Sequence, residues 1–179
     1  MAAYSELELR YARPVANAIL ESGPFRHWLL AGTKHERDAL TARPIGDIQG
    51  SVRSARLKNP YWFNYHCGKD SKCECKIGTG IETDILLILD CDTKRSLGLH
   101  IEIKRPGESL GDGQSESYKR RAACWANPVT RPKYVWPYQD FLTLLICGRE
   151  LKPDKRLQSF DKVVFHDEVA QKIQVYPEL

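Results

Sequence analysis

The sequence has no apolar run long enough to cross a bilayer. Its longest, Ile85–Leu89 and Phe141–Cys147, fall far short of the roughly 20 residues that a spanning helix needs. An apolar leader is lacking too: Met1 to Arg10 carries Glu6, Glu8 and Arg10 where a secretory signal needs a hydrophobic stretch. Cytoplasmic residence is the simplest expectation. No internal repeat, low-complexity tract or linker divides the chain, so its 179 residues are expected to form one domain around one core. A strong charge excess is also missing. The net charge of +4 is compatible with a nucleic-acid partner and demands none. Without a secretory signal, the six cysteines read as reduced thiols and not as a disulfide framework.

What is present is the balance of a globular protein, with 42% hydrophobic and 28% charged residues. Leu7, Tyr11, Val15, Ala18 and Ile19 recur at helical spacing, which predicts a helix from Ser5 to about Ser22 with Ser5 as N-cap. Pro14 is expected to kink or split it, and Gly23-Pro24 to end it before a short helix holding Phe25, Trp28 and Leu29. Residues 1–60 thus read as a helical N-terminal part, with a weak, polar signal from Thr33 to Asn59.

The middle of the chain is clearer. Gly78-Thr-Gly80 leads into a β-type run, Ile81–Asp90, and a polar turn from Cys91 to Ser96 joins it to a second strand, Leu97–Arg105. After Pro106-Gly107, a helix is expected over Gln114–Ala126 with Asp112 as N-cap, then a strand covered on both faces at Phe141–Cys147. Val163–Val175 reads as a short strand and a helix. The fold class is α/β, with a central mixed β-sheet flanked by helices and a core spanning residues 78–148.

Alternation along the second strand sends Leu97, Leu99, Ile101 and Ile103 to one face and Gly98, His100, Glu102 and Lys104 to the other. The apolar set explains a core; the polar stripe needs a reason of its own. In the preceding strand Glu82 and Asp84 share a face. If the hairpin brings Asp84 to Glu102, two carboxylates and one ammonium converge at a sheet edge. Two carboxylates suit a hard cation such as Mg²⁺ or Mn²⁺, which polarises a phosphoryl group and makes a nucleophile of a bound water. A lysine beside it orients that water or steadies charge building on the phosphate. The backbone carbonyl of Ile103 is a further candidate ligand.

The pattern Asp84-x17-Glu102-Ile103-Lys104 resembles the PD-(D/E)xK nuclease superfamily, with Thr83 standing where the signature has proline. Gln114-Ser-Glu-Ser-Tyr118 on the next helix resembles the Gln-x3-Tyr motif of its RecB-like and lambda exonuclease-like branch. The resemblance covers residues 78–148 and implies a restriction-endonuclease-like core and a single nuclease domain over residues 1–179. It also implies metal-dependent hydrolysis of phosphodiester bonds in DNA, with RNA left open. Asp84, Glu102 and Lys104 would be catalytic, with Asp84, Glu102 and the Ile103 carbonyl on the metal. Gln114, Tyr118 and Arg121, on one helix face, would touch substrate together with His100, which is otherwise a structural neighbour. Members of the group often add an acidic ligand from an N-terminal helix; Glu8, Glu21 and Glu36 are candidates, and Glu21 is preferred. Cutting both strands of a duplex would suit a homo-oligomer. The alternative is a non-catalytic nucleic-acid-binding or protein-interaction module on the same fold.

Three further features remain. Lys104-Arg105, Lys119-Arg120-Arg121, Arg131 and Lys133 form either a phosphate-facing surface or a solvated helix face. Tyr61-Trp62-Phe63-Asn64-Tyr65 either stacks on unpaired bases or, as aromatics more commonly do, fills the core. His66, Cys67, Cys73 and Cys75 offer four soft ligands for Zn²⁺ within ten residues. Their spacing is not that of a zinc ribbon, nor of the iron–sulfur relatives in the nuclease superfamily, and a plain loop is the competing reading.

Overall fold

The structure is a computed structural model that describes residues 2–53, 59–67, 73, 75, 82–91 and 95–177, with side chains from residue 6 onward. The Gly78-Thr-Gly80 lead-in, Ile81 and the 92–94 hairpin tip lie outside the described residues.

Helix α1 runs Ala2–Glu21 as one uninterrupted element, with Pro14 inside it and Ser5 within its first turns, not at its cap. Ser22 caps α2 (Gly23–Leu30): its hydroxyl accepts the Phe25 N–H at 3.2 Å, an arrangement that contributes about 1 kcal/mol. The weakly patterned stretch that follows forms a 3₁₀ turn, the short strand β1 (Arg43–Pro44) and α3 (Gly46–Ser51). The aromatic stretch supplies β2 (Phe63–His66), with Trp62, Phe63 and Tyr65 buried, so it fills the core.

Strands β3 (Glu82–Cys91) and β4 (Arg95–Ile103) form the expected antiparallel hairpin, paired from Cys91↔Arg95 to Ile85↔Ile101. Helix α4 (Gln114–Ala126) then crosses over to β5 (Asp140–Cys147), which pairs parallel with β4. Strand β6 (Lys162–Phe165) adds in parallel beyond β5 and leads straight into α5 (His166–Ala170). The result is α/β: a mixed six-stranded sheet, ordered β1-β3-β4-β5-β6 with β2 also on β3, flanked by helices.

The two sheet faces differ. One carries Ile85, Leu87, Leu89, Leu97, Leu99, Ile101 and Ile103, packed with α1 and α2 through Val15, Ile19, Phe25 and Leu29. The other lies under α4 and the following loop, where Leu86 and Ile88 meet Trp125, Val135 and Tyr138. Gly98 is needed on this face, because a Cβ there would stand 3.0 Å from the Tyr138 ring. The polar stripe of β4 therefore faces a helix and not solvent. β3 and β4 are interior strands, so the carboxylates meet at the end of a central strand pair and not at a sheet edge. No described helix is long and apolar enough to cross a membrane.

Candidate functional site

Register places Asp84 opposite Glu102, one step beyond the last regular β3–β4 pair at Ile85↔Ile101. There the ladder stops, and the Asp84 carboxylate takes the place of a backbone acceptor: its Oδ2 accepts the Ile103 N–H at 2.7 Å. The Lys104 N–H, one residue on, points the other way and donates to the Ile146 carbonyl at 2.8 Å. Since N–H and C=O of one strand residue point to the same neighbour, the Ile103 carbonyl is directed toward β3 as well.

Glu102 is 1% exposed. Its Oε1 accepts from Lys104 Nζ at 2.7 Å and from Gln114 Nε2 at 2.5 Å, whereas its buried Oε2 has no hydrogen-bond partner. Gln114 is held in turn, because its Oε1 accepts the Gly111 N–H at 2.9 Å. The N-cap of α4 is Gly113 and not Asp112. Its φ of 69° is left-handed, which glycine adopts without strain, and it gives no side-chain cap. The Tyr118 hydroxyl accepts the Asp84 N–H at 3.2 Å and lies near both carboxylates, whose charge adds to burial in pushing its pKa well up.

The electrostatics follow from this crowding. Burial first, then the Glu102 charge, raises the Asp84 pKa well above the ordinary carboxylate range, against the Ile103 N–H that lowers it. Burial works against the Lys104 ammonium, but the charge and hydrogen bond of Glu102 outweigh it, and the net shift is upward. The acidic residue of α1 whose charge reaches Asp84 is Glu8. Glu21, the preferred candidate from the sequence, is exposed at the other end of the helix, about 20 Å away at 1.5 Å per residue. Glu36 instead accepts the Gly32 N–H at 2.9 Å. Glu82 is also elsewhere, half exposed and facing the His66 ring at 3.4 Å.

Three residues expected at the substrate are buried. Tyr118 and Arg121 are fully covered: Arg121 Nε donates to the Thr83 hydroxyl at 3.0 Å, and its guanidinium lies 4.6 Å from the Tyr118 ring centroid. Simple alternation also fails here, because Thr83 turns its hydroxyl toward α4 while its neighbour Ile85 faces the α1 side. His100 is fully buried, with Nε2 2.7 Å from the Tyr138 hydroxyl. That hydroxyl donates to the Ala122 carbonyl at 2.9 Å, so Nε2 carries the proton and His100 is a fixed neutral donor. Burial, with the Arg121 charge, holds its pKa well below the usual histidine value. All three are enclosed by the protein.

The basic run does not form one surface. Lys119 pairs with Asp161 at 3.0 Å, Arg120 is exposed, Arg121 is internal, and Arg105 pairs with Glu108. One contributor escaped the sequence reading. His166 Nε2 donates to the Lys104 carbonyl at 2.7 Å, and its Nδ1 accepts from the Tyr176 hydroxyl at 2.7 Å, so the start of α5 fixes the lysine's backbone. No local motif marks this histidine.

The sulfur cluster sits nearby under α4. Cys67, Cys73 and Cys75 are buried, with all three sulfurs within 4.8 Å of one another, a set that could hold a metal such as zinc. His66, expected as the fourth ligand, is half exposed and turned to Glu82. No protein-family model, curated protein or solved structure matches the chain.

Proposed function

We propose that the chain is a Mg²⁺- or Mn²⁺-dependent nuclease hydrolysing phosphodiester bonds in DNA, with Asp84 and Glu102 as ion ligands and Lys104 as the catalytic cation. One observation carries this reading: two buried carboxylates and an ammonium meet where a strand ladder opens, and the innermost carboxylate keeps a buried oxygen without a partner. Leaving such an oxygen unsatisfied costs on the order of 1–3 kcal/mol or more, a cost a cation would remove. The donor set is all oxygen (Asp84, Glu102 and the Ile103 carbonyl), which fits a hard divalent ion better than a soft one. The resemblance of Asp84, Glu102-Ile103-Lys104 and Gln114-x3-Tyr118 to the PD-(D/E)xK superfamily supports the same reading, and with it a restriction-endonuclease-like core.

A bound divalent ion would supply Lewis-acid polarisation of the phosphate and an acidified water. The chain's own residues do the rest. Gln114 and Lys104 engage Oε1 of Glu102 and so leave Oε2 as the presented oxygen. The Ile103 N–H fixes Oδ2 of Asp84. Lys104, with its pKa raised, stays protonated at neutral pH and stabilises negative charge on the phosphoryl oxygens. Because burial and the Glu102 charge favour the protonated Asp84 carboxyl, a divalent ion held there would displace that proton and would bind more tightly as pH rises.

The test is cleavage of supercoiled plasmid with Mg²⁺, with Mn²⁺ and with EDTA, repeated for Asp84→Ala and Lys104→Ala. Metal-dependent nicking by the natural sequence, lost in both variants, is expected. Cleavage that persists in EDTA or in the variants overturns the assignment; no cleavage with either metal leaves the binding-module alternative in its place.

A further inference from the structure

The sulfur cluster has more members than its sequence spacing suggests. Cys67 follows β2, while Cys73 and Cys75 come from the segment between β2 and β3. A fourth sulfur arrives from a distant part of the chain: Cys124, in the last turn of α4, packs against the same buried cluster as Cys67, Cys73 and Cys75. It lies outside the 4.8 Å set formed by the other three sulfurs. We propose that Cys67, Cys73, Cys75 and Cys124 form a structural Zn²⁺ site that clips the β2–β3 connection to α4.

Geometry selects a single ion. Zn–S bonds of about 2.3 Å in a tetrahedron set neighbouring sulfurs a little under 4 Å apart, which matches three thiols already within 4.8 Å. A multi-iron cluster would spread its thiolates over several metal atoms, further apart than bonds to one ion allow. The Cys67 and Cys75 sulfurs stand 2.9 Å apart, too far for a disulfide bond and closer than two ligands of one tetrahedral ion, so they must separate by about 1 Å to share it. A cation between them would relieve that crowding.

The surroundings suit bound thiolates. The Trp125 indole N–H donates to the Cys67 sulfur at 3.2 Å, the outer-shell N–H···S contact that orients and stabilises a metal-bound thiolate. Four thiolates around one Zn²⁺ carry a formal charge of −2, and the buried guanidinium of Arg121 acts on both Cys67 and Cys75. Arg121 and Trp125 lie on the same helix as Gln114 and Tyr118, so the clip would hold the helix that braces Asp84 and Glu102. The inference stands on the cysteines alone and does not depend on nuclease activity.

The experiment is elemental analysis of the full chain purified without chelator, with thiol titration of the denatured protein. Zinc affinity is then measured by competition for the natural sequence, for Cys124→Ser and for Cys91→Ser, a buried cysteine packed on the opposite sheet face. About one zinc per chain, six titratable thiols and tetrahedral thiolate bands on Co²⁺ substitution are expected. Cys124→Ser should weaken zinc by at least 10- to 100-fold, the loss typical of merely outer-shell changes, while Cys91→Ser should not. If Cys124→Ser misfolds, the Co²⁺ spectrum of the natural sequence decides, because three sulfurs plus water give weaker thiolate bands than four. Iron in place of zinc, a disulfide among the four, no metal, or undiminished affinity in Cys124→Ser would each overturn the site.

Discussion

Strands β3 and β4 present two faces built on opposite principles. Toward α1 and α2, Ile85, Leu87, Leu99, Ile101 and Ile103 form an entirely apolar layer. Toward α4, Glu102, His100, Thr83, Tyr118 and Arg121 are just as deeply buried, but each polar group must find a partner there. Nearly all do, through specific contacts such as Thr83 with Arg121 and His100 with Tyr138. At Glu102 the matching stops one oxygen short. The first face makes the fold stable. The second spends some of that stability on holding charge out of water, which is how residues poised for chemistry are usually kept.

The comparison can be broken by substitutions on each face. Asp84→Ala, Glu102→Ala or Lys104→Ala should cut metal-dependent cleavage by about a thousandfold or more in plasmid assays, with no loss of the folded circular dichroism spectrum. Ile101→Ala, on the other face, should instead cost about 2–5 kcal/mol in urea denaturation. If these two patterns were exchanged, the division between faces would be wrong.

Asp84→Asn sharpens it further. With the folded pKa raised, the folded state binds the proton more tightly than the unfolded chain does. Asp84 therefore costs nothing below the unfolded value of about 4, costs progressively more as pH rises from there, and costs most above its folded pKa. Metal-free Asp84→Asn should melt higher than the natural sequence at pH 7.5. The rise should be about 2–4 °C for each kcal/mol of relief, and the gap should close as pH is lowered toward 4. An equal or lower melting temperature at pH 7.5 would show that the buried carboxylate carries no such cost.

Gln114→Ala should lower cleavage more modestly, by about tenfold, because it frees Glu102 to rotate without removing a ligand. The smallest effect is expected from Tyr138→Phe. It removes the hydroxyl that joins His100 to the Ala122 carbonyl and should cost about 1 kcal/mol in thermal unfolding, with cleavage unchanged.

Much of this was legible in the sequence where the signal is local. The β3–β4 hairpin, the span of α4 and strand β5 follow from alternation, turn residues and apolar runs. The juxtaposition of Asp84 with Glu102 follows from hairpin register. What escaped depends on contacts between distant segments. Glu8 and Glu21 lie on one helix and look alike in sequence, and only the docking of α1 on the sheet separates them. Cys124 reaches the cysteine cluster only through the packing of α4, whereas His66, adjacent to Cys67, faces Glu82. Tyr118, Arg121 and His100 carry polar groups that suggest solvent, yet α4 seals them in. Asp112 lost the helix cap to Gly113 because the chain enters α4 through a left-handed turn.

The bond from His166 to the Lys104 carbonyl means that the last strand and helix are no mere appendage to the sheet. The same imidazole takes the Tyr176 hydroxyl and lies 5.2 Å from the Tyr11 ring, so segments from both ends of the chain converge on one tether. Clipping the chain before residue 166 would remove no group proposed to touch the phosphate, yet it would unmoor the backbone from which the ammonium is suspended.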